Sequence, residues 1–127
     1  MEVGFVIVTN NPRVLKRYEG LYSVEFVDGV YMDVLVRVRD RVHAGCRLLT
    51  HPLSGSVKPN ETPYKSVMIS QKRGSMDMGS LSIIEEAIAA CRKFPVKYEG
   101  LPQRVLEDFQ LVDSTLIDSA IPSATVQ

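Results

Sequence analysis

The chain has 127 residues, with fifteen basic residues balancing fifteen acidic ones, two cysteines and no tryptophan. That length supports one core burying roughly two thirds of the surface an unfolded chain exposes, so a single α/β domain over residues 1–127 is expected. Nine basic residues face seven acidic ones through Lys65, then six face eight, which argues against the one-sided cationic face of a nucleic-acid binder.

The densest basic cluster, Arg37, Arg39 and Arg41 with Asp40 between, reads as the solvated side of a helix. The longest apolar run, residues 3–8, is far short of the about 20 residues that span a bilayer. No basic leader with an apolar segment and cleavage site opens the sequence, so a cytoplasmic protein with no membrane partner is expected. Cys46 and Cys91 stand far apart without a second Cys or His at zinc spacing. They read as buried small residues, and no disulfide framework, metal or cofactor is expected.

Residues 3–8 (VGFVIV) are β-branched and nearly continuous, the pattern of a strand buried on both faces. Thr9-Asn10-Asn11-Pro12 is a turn in which Pro12 opens a short helix capped by an asparagine, and Gly20 stops it. Residues 23–27 alternate and give a second strand before Asp28-Gly29. From Tyr31, the apolar positions Val34, Leu35, Val38 and Val42 recur at helical steps, and Gly45 stands at the C-cap. β-Branched residues lower helix propensity by only tenths of a kcal/mol each, less than the roughly 1.5 to 3 kcal/mol gained by burying one apolar side chain.

Residues 46–49 predict a third strand and residues 66–70 a fourth. Residues 71–79 read as a loop, and Ser82 with Glu85 as a capping box for a helix whose buried stripe is Ile83, Ile84, Ala87, Ile88 and Cys91, ended by Pro95. Pro102 opens a last helix with Val105, Leu106, Phe109, Val112, Leu116 and Ile117 as its apolar face, and residues 121–127 are expected to fray. This order predicts a three-layer αβα domain with a mainly parallel sheet of about four strands. Strand order is flavodoxin-like (2-1-3-4) or Rossmann-like (3-2-1-4), either of which places ligands at the carboxyl ends of strands. The first strand is expected beside residues 46–49, which would put Asn10 and His51 on one rim.

The rule selects residues 50–65, a long stretch with Pro52, Pro59 and Pro63, each of which fixes φ and lowers the entropy lost on ordering. Loops of this length in compact domains are usually binding loops. His51 follows a strand and could act as acid, base or anion contact, since an ordinary histidine titrates near pH 6.5. Ser54, Gly55 and Ser56 with Lys58 supply hydroxyls, accessible backbone N–H groups and a cation, the chemistry that holds a phosphate or carboxylate. Neither the phosphate-loop nor the serine-hydrolase spacing is present. Asn60, Glu61 and Thr62 serve either as local turn-formers or as ligand contacts. Thr50, Tyr64 and the amides of Asn10 and Asn11 complete the candidate ligand-binding set, with Lys65 able to close over the ligand.

Three stretches carry a resemblance: Val6-Ile7-Val8-Thr9-Asn10-Asn11-Pro12, the helix end Arg39-Asp40-x-x-His43-x-Gly45, and above all the run from Leu48 to Ser66. Together they resemble the GrdX family, small proteins encoded with the glycine, sarcosine and betaine reductase systems of anaerobic bacteria that ferment amino acids. The resemblance implies context and assigns no activity or catalytic residue. In that context the expected role is an accessory or regulatory protein that binds a small anionic metabolite or a reductase component through residues 50–65. The alternative is an enzyme acting on an acyl phosphate or amino-acid derivative with His51 as acid or base. The sequence leaves the oligomeric state open, a homo-oligomer included.

Overall fold

The structure is a computed structural model that describes residues 4–54 and 58–126. Its centre is β1 (Phe5–Thr9), whose β-branched residues are buried along nearly the whole strand. β2 (Ser23–Phe26) pairs with β1 in parallel on one side and β3 (Ser66–Ser70) pairs antiparallel on the other, giving the order β2-β1-β3.

The expected sheet of about four mainly parallel strands is therefore corrected: the described residues form three strands of mixed direction, and neither the flavodoxin-like nor the Rossmann-like order applies. Residues 46–49 are not a strand beside β1. They meet the sheet on the far side of β3 through the single bridge Leu48–Ile69, with the N–H groups of Leu49 and Thr50 donating to the Met68 carbonyl. The physical reason lies in the connection. Parallel neighbours need a crossover long enough to return the chain to the opposite end of the sheet, whereas β3 starts at the end where residues 46–49 leave and runs straight back. Val6 and Leu48 both pair with Ile69, so β1 and residues 46–49 run the same way. Asn10 and His51 consequently do emerge at one end of the sheet, with the start of β3 between them.

Four helices cover both faces. α1 (Pro12–Tyr18) starts with Pro12 after Asn11, whose side chain accepts from the Arg13 N–H. α2 (Tyr31–His43) buries Tyr31, Val34, Leu35, Val38 and Val42. With α3 (Met78–Lys93) it packs on one face against Val8, Val67 and Ile69, while α1 and α4 (Gln103–Val126) close the other over Phe5, Ile7 and Met68. The alternation of side chains along each strand divides these two cores.

Two helix readings are corrected. α3 is capped by Asp77, which accepts from the Ser80 N–H at 3.0 Å, so Ser82 and Glu85 lie inside the helix and form no capping box. Ile83 faces outward at 38% exposure while Ile84, Ala87, Ile88 and Cys91 are buried. On α4, Val112 and Leu116 are about two-fifths exposed, and the buried face is Asp113, Ser114, Ile117 and Ile121. The helix has turned to point a carboxylate at β3. It also runs on to Val126, past the point where fraying was expected.

The arginine-rich side of α2 is paired as well as solvated. Arg37 and Arg41 both bond Glu25 of β2, at 2.7 and 2.8 Å, and Arg39 reaches Glu85 of α3. Burial would raise the Glu25 carboxyl, but the hydrogen bonds and charges of Arg41 and Arg37 outweigh it and hold the carboxyl below its ordinary value. At the end of α2, Gly45 adopts φ +104° and its carbonyl receives the Gly74 N–H at 3.0 Å. A Cβ there would run into the Gly74 carbonyl oxygen. Gly45→Ala is expected to cost about 2 kcal/mol or more, read as a melting temperature lower by several degrees.

Candidate functional site

The chain from residue 50 to 65 is pinned to the body at several points. The Asn10 side chain donates to the carbonyls of Gly29 and Pro63, at 2.9 and 2.6 Å, and accepts from the Lys65 N–H at 2.9 Å. Asn60 takes the left-handed conformation at φ +66° and donates to the carbonyls of Cys91 and Phe94, closing the open end of α3. An asparagine tolerates that backbone better than other side chains do. The Tyr31 hydroxyl donates to the Pro52 carbonyl at 3.3 Å; burial pushes its phenol above the ordinary value, so it remains a donor. The Tyr64 hydroxyl accepts from the Gln110 side chain of α4.

Beneath the loop, Asp113 is only 6% exposed and collects three donors: the Ser66 N–H at 2.9 Å, the Ser66 hydroxyl at 2.7 Å and the Asn11 amide at 3.0 Å. Because Ser66 donates to Asp113, the 2.7 Å contact between Ser66 and Thr9 has Thr9 as donor, and Thr9 in turn accepts from the Asn11 N–H. One buried chain of hydrogen bonds thus links the end of β1, the start of β3 and the middle of α4. Each member is satisfied, which is what makes a buried polar network stabilising.

Above this network lies a cavity of about 210 Å³. Its lining is polar at Thr50, His51, Ser54, Lys65 and Ser66 and apolar at Leu53, Leu116, Ile117 and Ala120. Lys65 is 6% exposed, and its amine donates to the Ser54 hydroxyl at 2.9 Å. Among the described residues it has no ion pair with a carboxylate. Burial draws its pKa below the ordinary lysine value, a fall partly offset by the negative field of Asp113. An ammonium has three N–H donors, and among the described residues only the Ser54 hydroxyl takes one.

His51 Nδ1 accepts the Leu53 N–H at 3.1 Å. With Nδ1 an acceptor, the neutral ring carries its hydrogen on Nε2 and presents a donor to its surroundings. The Thr50 hydroxyl accepts from the Met68 N–H at 2.9 Å and keeps its own hydrogen. Ser66 spends its hydroxyl hydrogen on Asp113, and the other polar residues of the lining carry donor hydrogens.

Of the residues singled out in the sequence, Thr50, His51 and Ser54 meet in this cavity. Tyr64 lines a neighbouring space of about 10 Å³ shared with Ser54 and Asp113. Asn10, Asn11 and Asn60 have their side chains engaged in holding the loop and capping helices. Lys58 is exposed, with its N–H bonded to the Glu61 carboxylate. Gly55 and Ser56 lie outside the described residues, and with them most of the expected anion loop. Lys65, as the buried cation of a site, and Asp113, as its support, were missed. One signal for Asp113 was available: it stands four and eight residues before Ile117 and Ile121, in register with an apolar stripe. Among the described residues no group of three or more His, Cys, Asp or Glu side chains is placed to hold a metal ion.

The described residues thus form a mixed α/β protein of four helices and a three-stranded sheet, with a cavity that carries several donors at one end of that sheet. Its residues 6–122 match the family model described as GrdX-like protein, and the chain belongs to that family. Membership associates it with glycine reductase systems. No curated protein and no solved structure matches it. Among the described residues no helix is long and apolar enough to cross a membrane.

Proposed function

We propose that this protein is a cytoplasmic accessory or regulatory component of amino-acid reductase metabolism that binds a small anionic metabolite in the cavity beneath residues 50–65. The observation that carries this reading is Lys65, a buried ammonium with one hydroxyl partner facing a cavity lined by further donors. A buried cation without an anion is costly, and a ligand carboxylate or phosphate would supply the missing charge. His51 fits the same role as a donor through Nε2–H. Its lone pair on Nδ1 is already used, which weighs against the alternative in which it removes a proton from a substrate.

The role of Lys65 sets the pH dependence. Anion binding favours the ammonium, so affinity should be constant at low pH and fall as pH rises through the Lys65 pKa. Burial places that pKa below the ordinary 10.5. Calorimetric titration of acetate at constant ionic strength should therefore show affinity declining at a pH where a surface lysine would still be fully charged, by about tenfold per pH unit beyond the midpoint. Binding that is unchanged up to the ordinary lysine range, or no binding of any small anion, would remove Lys65 from a ligand site.

A further inference from the structure

We infer that the cavity selects a short-chain monocarboxylate over a dianion such as inorganic phosphate. This rests on the proposed anion site and names the class of ligand it takes.

Among the described residues Lys65 is the only Lys or Arg lining the cavity, and it already lies in the field of Asp113. Asp113 borders the small space on the other side of Ser54, so the carboxylate and the cavity share that serine as a wall. One bound negative charge is matched by the ammonium and leaves Asp113 held by its own three donors. A second negative charge would face Asp113 with no Lys or Arg among the described lining residues left to neutralise it. Sites for phosphate dianions usually add an arginine fork or a run of backbone N–H groups, and among the described residues no arginine lines this cavity.

Four of the nine described lining residues are apolar. Leu53, Leu116, Ile117 and Ala120 offer a phosphate nothing, since every one of its peripheral oxygens seeks a donor. A short alkyl or similarly apolar body attached to a carboxylate would cover them. Leu116 is 41% exposed, so this lining has apolar surface still to remove from water. Lys65, Thr50, Ser54 and His51 supply donors to the same space, which suits a molecule with one charged end and one apolar end. At about 210 Å³ the space falls below the roughly 300 Å³ at which drug-sized pockets begin, so the body must be small.

Calorimetric titration of the full chain with acetate, propionate, butyrate and inorganic phosphate, at pH 8 and fixed ionic strength in chloride, tests the selection. Carboxylates should bind at least about tenfold more tightly than phosphate, and each methylene from acetate to butyrate should strengthen binding about two- to fourfold. Phosphate binding as well as or better than the carboxylates, or affinity that ignores chain length, would overturn the selectivity and leave the anion site standing. Absence of binding by all four anions, or equal binding by Lys65→Met, would overturn the anion site itself. Leu116→Asp should weaken butyrate more than acetate, because it places a charge among the apolar lining residues; equal losses would contradict the assignment of those residues.

Discussion

Lys65→Met is expected to lose carboxylate binding by at least about tenfold, the worth of a charge-assisted hydrogen bond, while melting at the same temperature as the parent or higher. Methionine has nearly the length of lysine and can fill the same path beneath residues 50–65. The Ser54 hydroxyl loses a donor, a small cost because it is half-exposed and can turn to water. What is removed is an ammonium whose burial opposes its charge. The direction of the pH effect follows. A lysine whose folded-state pKa lies below its unfolded value destabilises the fold fully at pH below the folded value, and the penalty fades as pH rises to 10.5. Any gain in melting temperature for Lys65→Met should thus be present at neutral pH and shrink toward pH 10. A residue that binds a ligand at the expense of stability gives this opposite response of function and fold. A variant that binds normally, or that melts well below the parent, would make Lys65 a structural contact.

Asp113→Ala is expected to be the most damaging single change, lowering stability by about 3 kcal/mol or more. The carboxylate accepts from Ser66 twice and from Asn11 once, all in buried surroundings. Removing it strands three donors at the junction of β1, β3 and α4 and leaves a cavity beneath residues 50–65. Asp113→Asn keeps one acceptor oxygen and should lose less. The difference should appear as melting temperatures ordered parent, Asn variant, Ala variant, with the Ala variant down by about 10 °C. If alanine were tolerated within about 1 kcal/mol, the hydrogen-bonded chain from Thr9 to Asp113 would not be what joins α4 to the sheet.

Local chemistry made much of this fold readable. The run ending at Thr9, the Asn11-Pro12 cap and the helical spacing from Tyr31 to Val42 each specify their element through short-range forces, and the structure has all three. Sheet direction was harder because it depends on where residues 50–65 travel. One sign was present: no helix-period segment lies between residues 46–49 and β3, and a connection without a crossover helix favours an antiparallel return. The start of α3 was misplaced because Gly79 looked like loop, although Asp77 and Ser80 already had cap spacing. The candidate site was legible as a region and less so as a set of residues. Thr50, His51 and Ser54 line the cavity, whereas Asn10 and Asn60 spend their amides on the backbone. Lys65 was read as able to close over the ligand, and its burial was not foreseen. Its burial is created by α4, whose approach depends on Asp113, 48 residues further along the chain, and no short window of sequence contains both.

The most direct measurement is the titration of Lys65 itself, followed by NMR of its side-chain carbon Cε in protein labelled on lysine, with Lys65→Met supplying the assignment. The free-protein midpoint should lie below the ordinary lysine value and shift upward when acetate is added, because the bound carboxylate stabilises the ammonium. A Lys65 that titrates as an ordinary surface lysine, with a midpoint indifferent to acetate, would contradict the ligand site at Lys65.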